Sequence, residues 1–195
     1  MVVNPSVPAK TLPEFIAYAK ANPGKINMAS VGIGSTPHLN GELFKAMTGT
    51  NMVHIPYRSA AAVMTDLLSG QAQLYFGTTA SSLEYVRTGK LRALGVTIER
   101  RLDALPEIPT VAEFVPGYEA SNWYGVGAPK ATPAEIIDQL NKEISAGLAD
   151  PNMKARFADL GGTLLAGSAA GFGKLIADET EKWAKVVKFV GIKAD

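Results

Sequence analysis

The chain has 195 residues, 47% hydrophobic and 19% charged, with 19 basic and 18 acidic side chains for a net charge of +1. A chain of this size buries roughly 70% of its unfolded surface, which argues against disorder, and the balanced charge leaves no nucleic-acid footprint. With no cysteine and only two histidines, disulfides, thiolate metal sites and cysteine nucleophiles are excluded, and little remains for a histidine-bound metal.

No apolar stretch approaches the length of a membrane span. The opening MVVNPSVP over residues 1–8 lacks the basic start and long apolar core of a secretory signal.

Apolar runs alternate with helical stretches along the first half of the chain. Val2 and Val3 open a strand. TLPE over 11–14 reads as a capping box, with Thr11 as cap and Glu14 reaching back. The helix behind it carries Phe15, Ile16 and Ala19 and stops at residues 22–24, Asn-Pro-Gly. KINMA over 25–29 is a strand. A glycine turn follows, then a helix over 37–47 with Thr36 as expected cap and Pro37 at its first position. Further strands are expected at 52–57, 72–76 and 91–96, and further helices at 60–69 and 80–88. Strand–helix alternation with short connections predicts an α/β fold with parallel strands covered by helices.

Residues 105–117 break this rhythm, with three prolines and one short helical piece around 111–114. Residues 118–126, which include Trp123 and Tyr124, read as a return strand. From 131 onward the chain is helical. TPAE over 132–135 is a second capping box, and Ile136, Leu140, Ile144 and Leu148 form one apolar stripe. Asp150 and Pro151 start a short helix, residues 163–166 read as a brief strand, and Ser168 caps a last helix whose apolar face includes Phe172, Ile176 and Trp183.

The run SVGIGSTPH over 30–38 carries the clearest functional signal. A strand, a glycine turn and a helix start aim free backbone N–H groups and the positive end of a helix dipole at one point, which suits an anion. Two glycines, two serines and a threonine in seven residues favour that use over a bare connection. The spacing is neither a dinucleotide fingerprint nor a P-loop: Pro37 stands at the third glycine position, and no lysine follows the glycines. Ligands of parallel sheets sit beyond the carboxyl ends of the strands. The turns at 57–59 and 77–79 lie at such ends and share that crevice.

Tyr57 is a candidate wall or hydroxyl donor. Arg58 is either a carboxylate clamp or a solvated arginine at a helix start. Thr78 and Thr79 offer hydroxyls to a ligand or cap the next helix. His38 faces the anion or the helix surface, and His54 is a core or face residue of its strand. A small hydrolase using Ser35 and His38 lacks a carboxylate to orient the histidine, and no nucleophile elbow is present.

Several motifs in order resemble one family. They are SVGIGSTPHLNGELF over 30–44, HIPYR over 54–58, GKLRAL over 89–94, LPEIPTVAE over 105–113, PGYE over 116–119 and GIK over 191–193. Together the chain is similar to the Bug (TctC-like) extracytoplasmic solute receptors of tripartite tricarboxylate transporters. The resemblance implies a two-lobed periplasmic binding protein that closes on a small carboxylate: a di- or tricarboxylate, an acidic amino acid or an aromatic acid. The carboxylate is held by backbone N–H groups and small hydroxyls from both lobes. The expected ligand-binding residues are Ser30, Gly32, Gly34, Ser35, Thr36, Tyr57 and Thr78, with no catalytic residue, cofactor or metal. Membrane transporter subunits are the implied partners, and the periplasm is the implied location.

The family pattern also has a signal peptide and about half of a first lobe ahead of the segment that matches residue 1. On that pattern residues 1–122 form the complete second lobe. Residues 123–195 supply a return strand and C-terminal helices of an incomplete first lobe. The turn after Phe76 carries Gly77 and Thr78 where the family commonly has an Asp-Asn pair, which bears on recognition of a ligand amino group. The C-terminal apolar stripes, left without a sheet, expose large side chains at about 1.5–3 kcal/mol each. Self-association through those helices is therefore expected. An orphaned, self-associating fragment without transport function is the alternative to a working receptor.

Overall fold

The computed structural model describes residues 1–192; Lys193, the last residue of the GIK run, lies outside them. The chain divides into two compact units. One is Met1–Asn122 together with the chain from Val186 on, and the other is Trp123–Lys185.

The first unit is an α/β sandwich built on a five-stranded sheet. In chain order its elements are β1 (Val2–Val3), α1 (Leu12–Ala21), β2 (Asn27–Ser30), α2 (Thr36–Thr48), β3 (Val53–Pro56), α3 (Ala60–Ser69), β4 (Leu74–Tyr75), α4 (Thr79–Arg87) and β5 (Arg92–Ala93). A single 3-10 turn, Val111–Glu113, marks the proline-rich stretch. The strand order is β3-β2-β4-β1-β5. β2 pairs in parallel with β3 and with β4, as the alternating pattern predicts. The expectation of a wholly parallel sheet needs one correction: β1 runs antiparallel to both β4 and β5. The sheet is therefore mixed. Two valines carry no directional signal, and a strand of two residues takes its direction from the neighbours that accept it.

Helices cover the sheet because their apolar faces match it. Val2, Ala29, Val63, Leu67, Tyr75 and Leu91 belong to one buried cluster. An aromatic group packs Phe44 against Phe15, Phe76 and Tyr118, with ring centroids 5.6–6.3 Å apart, a spacing at which tilted and edge-on rings attract. α2 lies close on β2 because residue 41 is glycine: a Cβ there would overlap the sulfur of buried Met28.

Four sequence expectations are corrected. Residues 118–126 are not a strand. Tyr118 is buried with its hydroxyl donating to Asn40 O at 3.0 Å, and Ala120 N donates once to Thr97 O, so no ladder forms. Residues 163–166 are irregular for the same lack of a pairing strand. The TPAE box makes no side-chain cap, because Pro133 itself is the residue before the helix and has no hydroxyl to offer. The box at Thr11 forms in altered register. Thr11 Oγ1 accepts from Glu14 N, while Glu14 reaches one residue further back, to Lys10 N.

The second unit is helical, with α5 (Ala134–Ala149), α6 (Pro151–Asp159) and most of α7 (Ala169–Val190). Asp150 caps α6 through Asn152 N and Met153 N, and Ser168 accepts from Gly171 N. None of these helices contains a buried residue. Ile136, Leu140, Ile144 and Ile176 are all more than a third exposed, so the stripes read from sequence stand open to solvent.

Candidate functional site

Three turns stand side by side along one edge of the sheet. Ser30 pairs with Pro56 and Ala29 with Tyr75 in parallel register, so the chain leaves β3, β2 and β4 at the same edge. The 31–35 turn is the middle one. Adjacent strands lie about 4.8 Å apart, which places all three turns within the span of a small molecule.

The middle turn is built almost entirely from its own polar groups. Ser30, fully buried at the end of β2, donates through its hydroxyl to Gly32 O at 3.0 Å and accepts from Gly32 N at 3.2 Å. Ser35 Oγ donates to the same Gly32 carbonyl at 2.7 Å. Gly32 and Gly34 have φ of 128° and 74°. Only glycine takes that region cheaply, so the turn needs both.

This bonding changes the expected helix start. Ser35, not Thr36, is the N-cap, and Pro37 falls at the second helical position. The Ser35 hydroxyl is committed to Gly32 O, so it does not cap the helix, and no side chain does so. The N–H groups of Ile33, Thr36 and His38 consequently have no hydrogen-bond partner among the described residues. Open donors at the positive end of a 13-residue helix favour a negative charge.

α4 starts the same way one strand over. Its N-cap, Thr78, makes no side-chain cap; Thr78 Oγ1 donates to Ser81 Oγ at 3.2 Å instead. α1 and α3, in contrast, are capped by Thr11 and Ser59. Thr78 also lines a cleft of about 80 Å³ with Gly77, Ser82, Ile98 and Leu102. Residues 30–36 and Tyr57 do not line it. The edge therefore brings Ser30, Gly32, Gly34, Ser35 and Thr36 into one turn, with Thr78 in a neighbouring recess.

Tyr57, expected as a wall or hydroxyl donor, directs its hydroxyl into the fold. Its hydroxyl donates to Asp66 Oδ2 at 2.8 Å, and its ring packs on the core. Burial, followed by the Asp66 carboxylate, pushes its pKa up to about 12. That bond ties the end of β3 to α3. Arg58 is exposed and forms no ion pair among the described residues.

Sequence reasoning missed the association of the two histidines. Their rings stack with centroids 3.7 Å apart and 10° between planes. His38 Nδ1 accepts from Gly34 N at 3.0 Å, and His54 Nε2 lies 2.6 Å from Ser30 Oγ. Since the Ser30 hydrogen goes to Gly32 O, His54 Nε2 is the donor in that contact. Burial, with His38 alongside, lowers the pKa of His54 to about 4. Burial also lowers that of His38, partly opposed by Glu42. Both rings are neutral at pH 7.

The mixed α/β sheet with open helix starts along one edge is the geometry of this unit, and the comparisons identify the family. The chain belongs to the TctC family, the tripartite tricarboxylate transporter family receptors, whose domain matches residues 1–192. It is 36% identical to the protein BugT of Bordetella pertussis over 194 residues, 99% of this chain and 60% of BugT. Among solved structures it is similar to R. palustris Rpa4515 with adipate, with a TM-score of 0.91 and 34% identity over 98% of this chain and 64% of that one. It is also similar to the periplasmic binding protein BugD, with a TM-score of 0.89 and 33% identity over 100% of this chain and 66% of that one. The chain thus spans little more than half the length of the curated relatives it matches.

Proposed function

We propose that Met1–Asn122 is a ligand-binding lobe that receives a small carboxylate at the 30–36 turn, as part of a periplasmic receptor serving a tripartite tricarboxylate transporter. The observation that carries this is the uncapped start of α2, with the N–H groups of Ile33, Thr36 and His38 left open. Backbone donors at a helix N-terminus bind a carboxylate without any catalytic group. The Ser30, Ser35 and Gly32 bonds hold the donors in place. The second open helix start, at Thr78, suits the far end of a ligand with two acidic groups, and adipate in Rpa4515 is such a compound. The chain acts by binding and release, not by catalysis.

Millimolar affinity, about 4 kcal/mol, is expected for this segment alone, since relatives bring further chain to the task. Titrating adipate into isotope-labelled protein tests the site directly. The amides of Ile33, Thr36 and His38 should shift most. Shifts confined to residues around Ile98 and Leu102, or none at tens of millimolar, would overturn the assignment.

A second reading concerns association. The exposed stripe of Ile136, Leu140 and Ile144, with Phe157 and Leu160 on α6 and the residue after it, favours contact between copies of the chain as it stands. Concentration-dependent light scattering is the expected result, and a monomer at micromolar concentration refutes it.

A further inference from the structure

We propose that His38 is the positioning residue of the 30–36 turn: its unprotonated Nδ1 fixes the Gly34 amide, and stacked His54 holds the imidazole in place. The proposal deepens the carboxylate-binding assignment and rests on it for its purpose. The geometry itself stands apart from any ligand.

Gly34 is an exposed glycine at the tip of the turn, with a backbone conformation open to alternatives. The 3.0 Å bond from its N–H to His38 Nδ1 is a side-chain restraint on that tip from four residues on, in the first turn of α2. It takes the Gly34 donor out of the open set and turns it inward. The donors of Ile33 and Thr36 are left without a partner among the described residues. His38 is 5% exposed. His54, from the neighbouring strand, stacks on its ring at 3.7 Å. His54 in turn is held by Ser30 Oγ at 2.6 Å, and Ser30 also bonds both polar groups of Gly32. The two glycines of the turn are therefore held by two side-chain systems, Gly32 by Ser30 and Gly34 by His38, and the histidine stack links them.

The arrangement demands one chemical state. A ring nitrogen that accepts from an amide carries no proton, so neutral His38 bears its hydrogen on Nε2. Nε2 lies 3.7 Å from Glu42 Oε1. Glu42 and Lys45 on α2, joined at 2.7 Å, are the charged groups facing the pair. Protonating His38 at Nδ1 replaces an acceptor by a second donor opposite the Gly34 amide. The turn then loses its restraint even though positive charge near the site increases.

Nitrogen NMR of the imidazoles and amide hydrogen exchange at Gly34 test this without ligand. The expected wild-type result is an unprotonated Nδ1 on His38 and a protected Gly34 amide. His38→Phe keeps a stacking ring but offers no acceptor, and Gly34 exchange should rise about tenfold. His38→Asn places Oδ1 where Nδ1 stood and should restore protection. Acidification through the His38 transition should remove the protection in wild type and not in His38→Asn. A His38 that carries its proton on Nδ1, or a Gly34 amide equally protected in the Phe variant, overturns the proposal. If His38→Phe fails to fold, the wild-type tautomer and the pH behaviour of His38→Asn decide. Failure of the wild-type chain to bind adipate would refute the carboxylate assignment, while the tautomer and exchange results judge the positioning role independently.

Discussion

Lowering the pH from 7 to 5 should destabilise the first unit, and about 2 kcal/mol of the loss is traceable to His54. Unfolded, this histidine titrates near 6.5, and in the fold near 4. Its folded pKa is depressed, so below pH 6.5 the unfolded state takes up the proton first. Stability is full above the unfolded pKa and falls as pH drops toward 4. Integrating the difference in bound protons from pH 7 to 5 gives about 2 kcal/mol, against a typical total of about 5–15 kcal/mol. His38, also depressed, and the Met1 amino group, lowered to about 5 by burial, add in the same direction. The depressed carboxylates Glu14 and Glu113 begin below their ordinary value of 4.5 and stay silent in this window. The methyl resonances of Met28 and Met52, both buried in this unit, report its unfolding in urea. A midpoint drop of about 1 M or more between pH 7 and 5 is expected for a slope of about 2 kcal/mol per M. His54→Gln, which retains a donor toward Ser30, should remove the His54 share and leave a shallower dependence set by Met1 and His38. A flat wild-type profile, or an unchanged slope in His54→Gln, would refute the reasoning.

Tyr57→Phe should cost about 1 kcal/mol by removing the bond to Asp66, while adipate-induced amide shifts remain; loss of those shifts would return the hydroxyl to the ligand. Gly34→Ala forces a side chain into positive φ and should cost about 1 kcal/mol or more, read from the same urea midpoint, with weaker adipate shifts at Ile33 and Thr36. Ser30→Ala strands the Gly32 amide and the His54 donor in a buried place and should cost about 1–3 kcal/mol; a neutral outcome in the urea assay would show that the hydroxyl is dispensable to the turn.

Much of this was legible from the residues. The 30–36 run announced its turn because two glycines between a strand and a Pro-started helix leave the chain few other options. Parallel pairing of β2, β3 and β4 followed from the intervening helices. What escaped depends on register and competition. Whether Ser35 or Thr36 caps α2 was decided by Gly32 O, which takes the Ser35 hydroxyl and shifts the helix start by one residue. The use of Tyr57 was decided by Asp66, nine residues on and one helical face away. The histidine stack needed the pairing of Met28 with His54, which no local pattern specifies. The reversed direction of β1 was hidden because two valines look alike read either way. The missing strand at 118–126 shows the converse: an aromatic run with Trp123 and Tyr124 yields no strand where no ladder forms among the described residues.

The reversed β1 has a consequence for the order of assembly. Val2 pairs with Tyr75 on one side and Ala93 on the other, so the first strand is completed by some of the last-made residues of its sheet. The β2–β3 pairing closes over a far shorter loop. At synthesis rates of about 5–20 residues per second, Val2 and Val3 wait several seconds for both neighbours. The parallel core around β2, and with it the glycine turn, can form before the sheet is locked by its oldest strand. A pulse of hydrogen exchange during refolding should therefore find β2 amides protected ahead of those of β1 and β5.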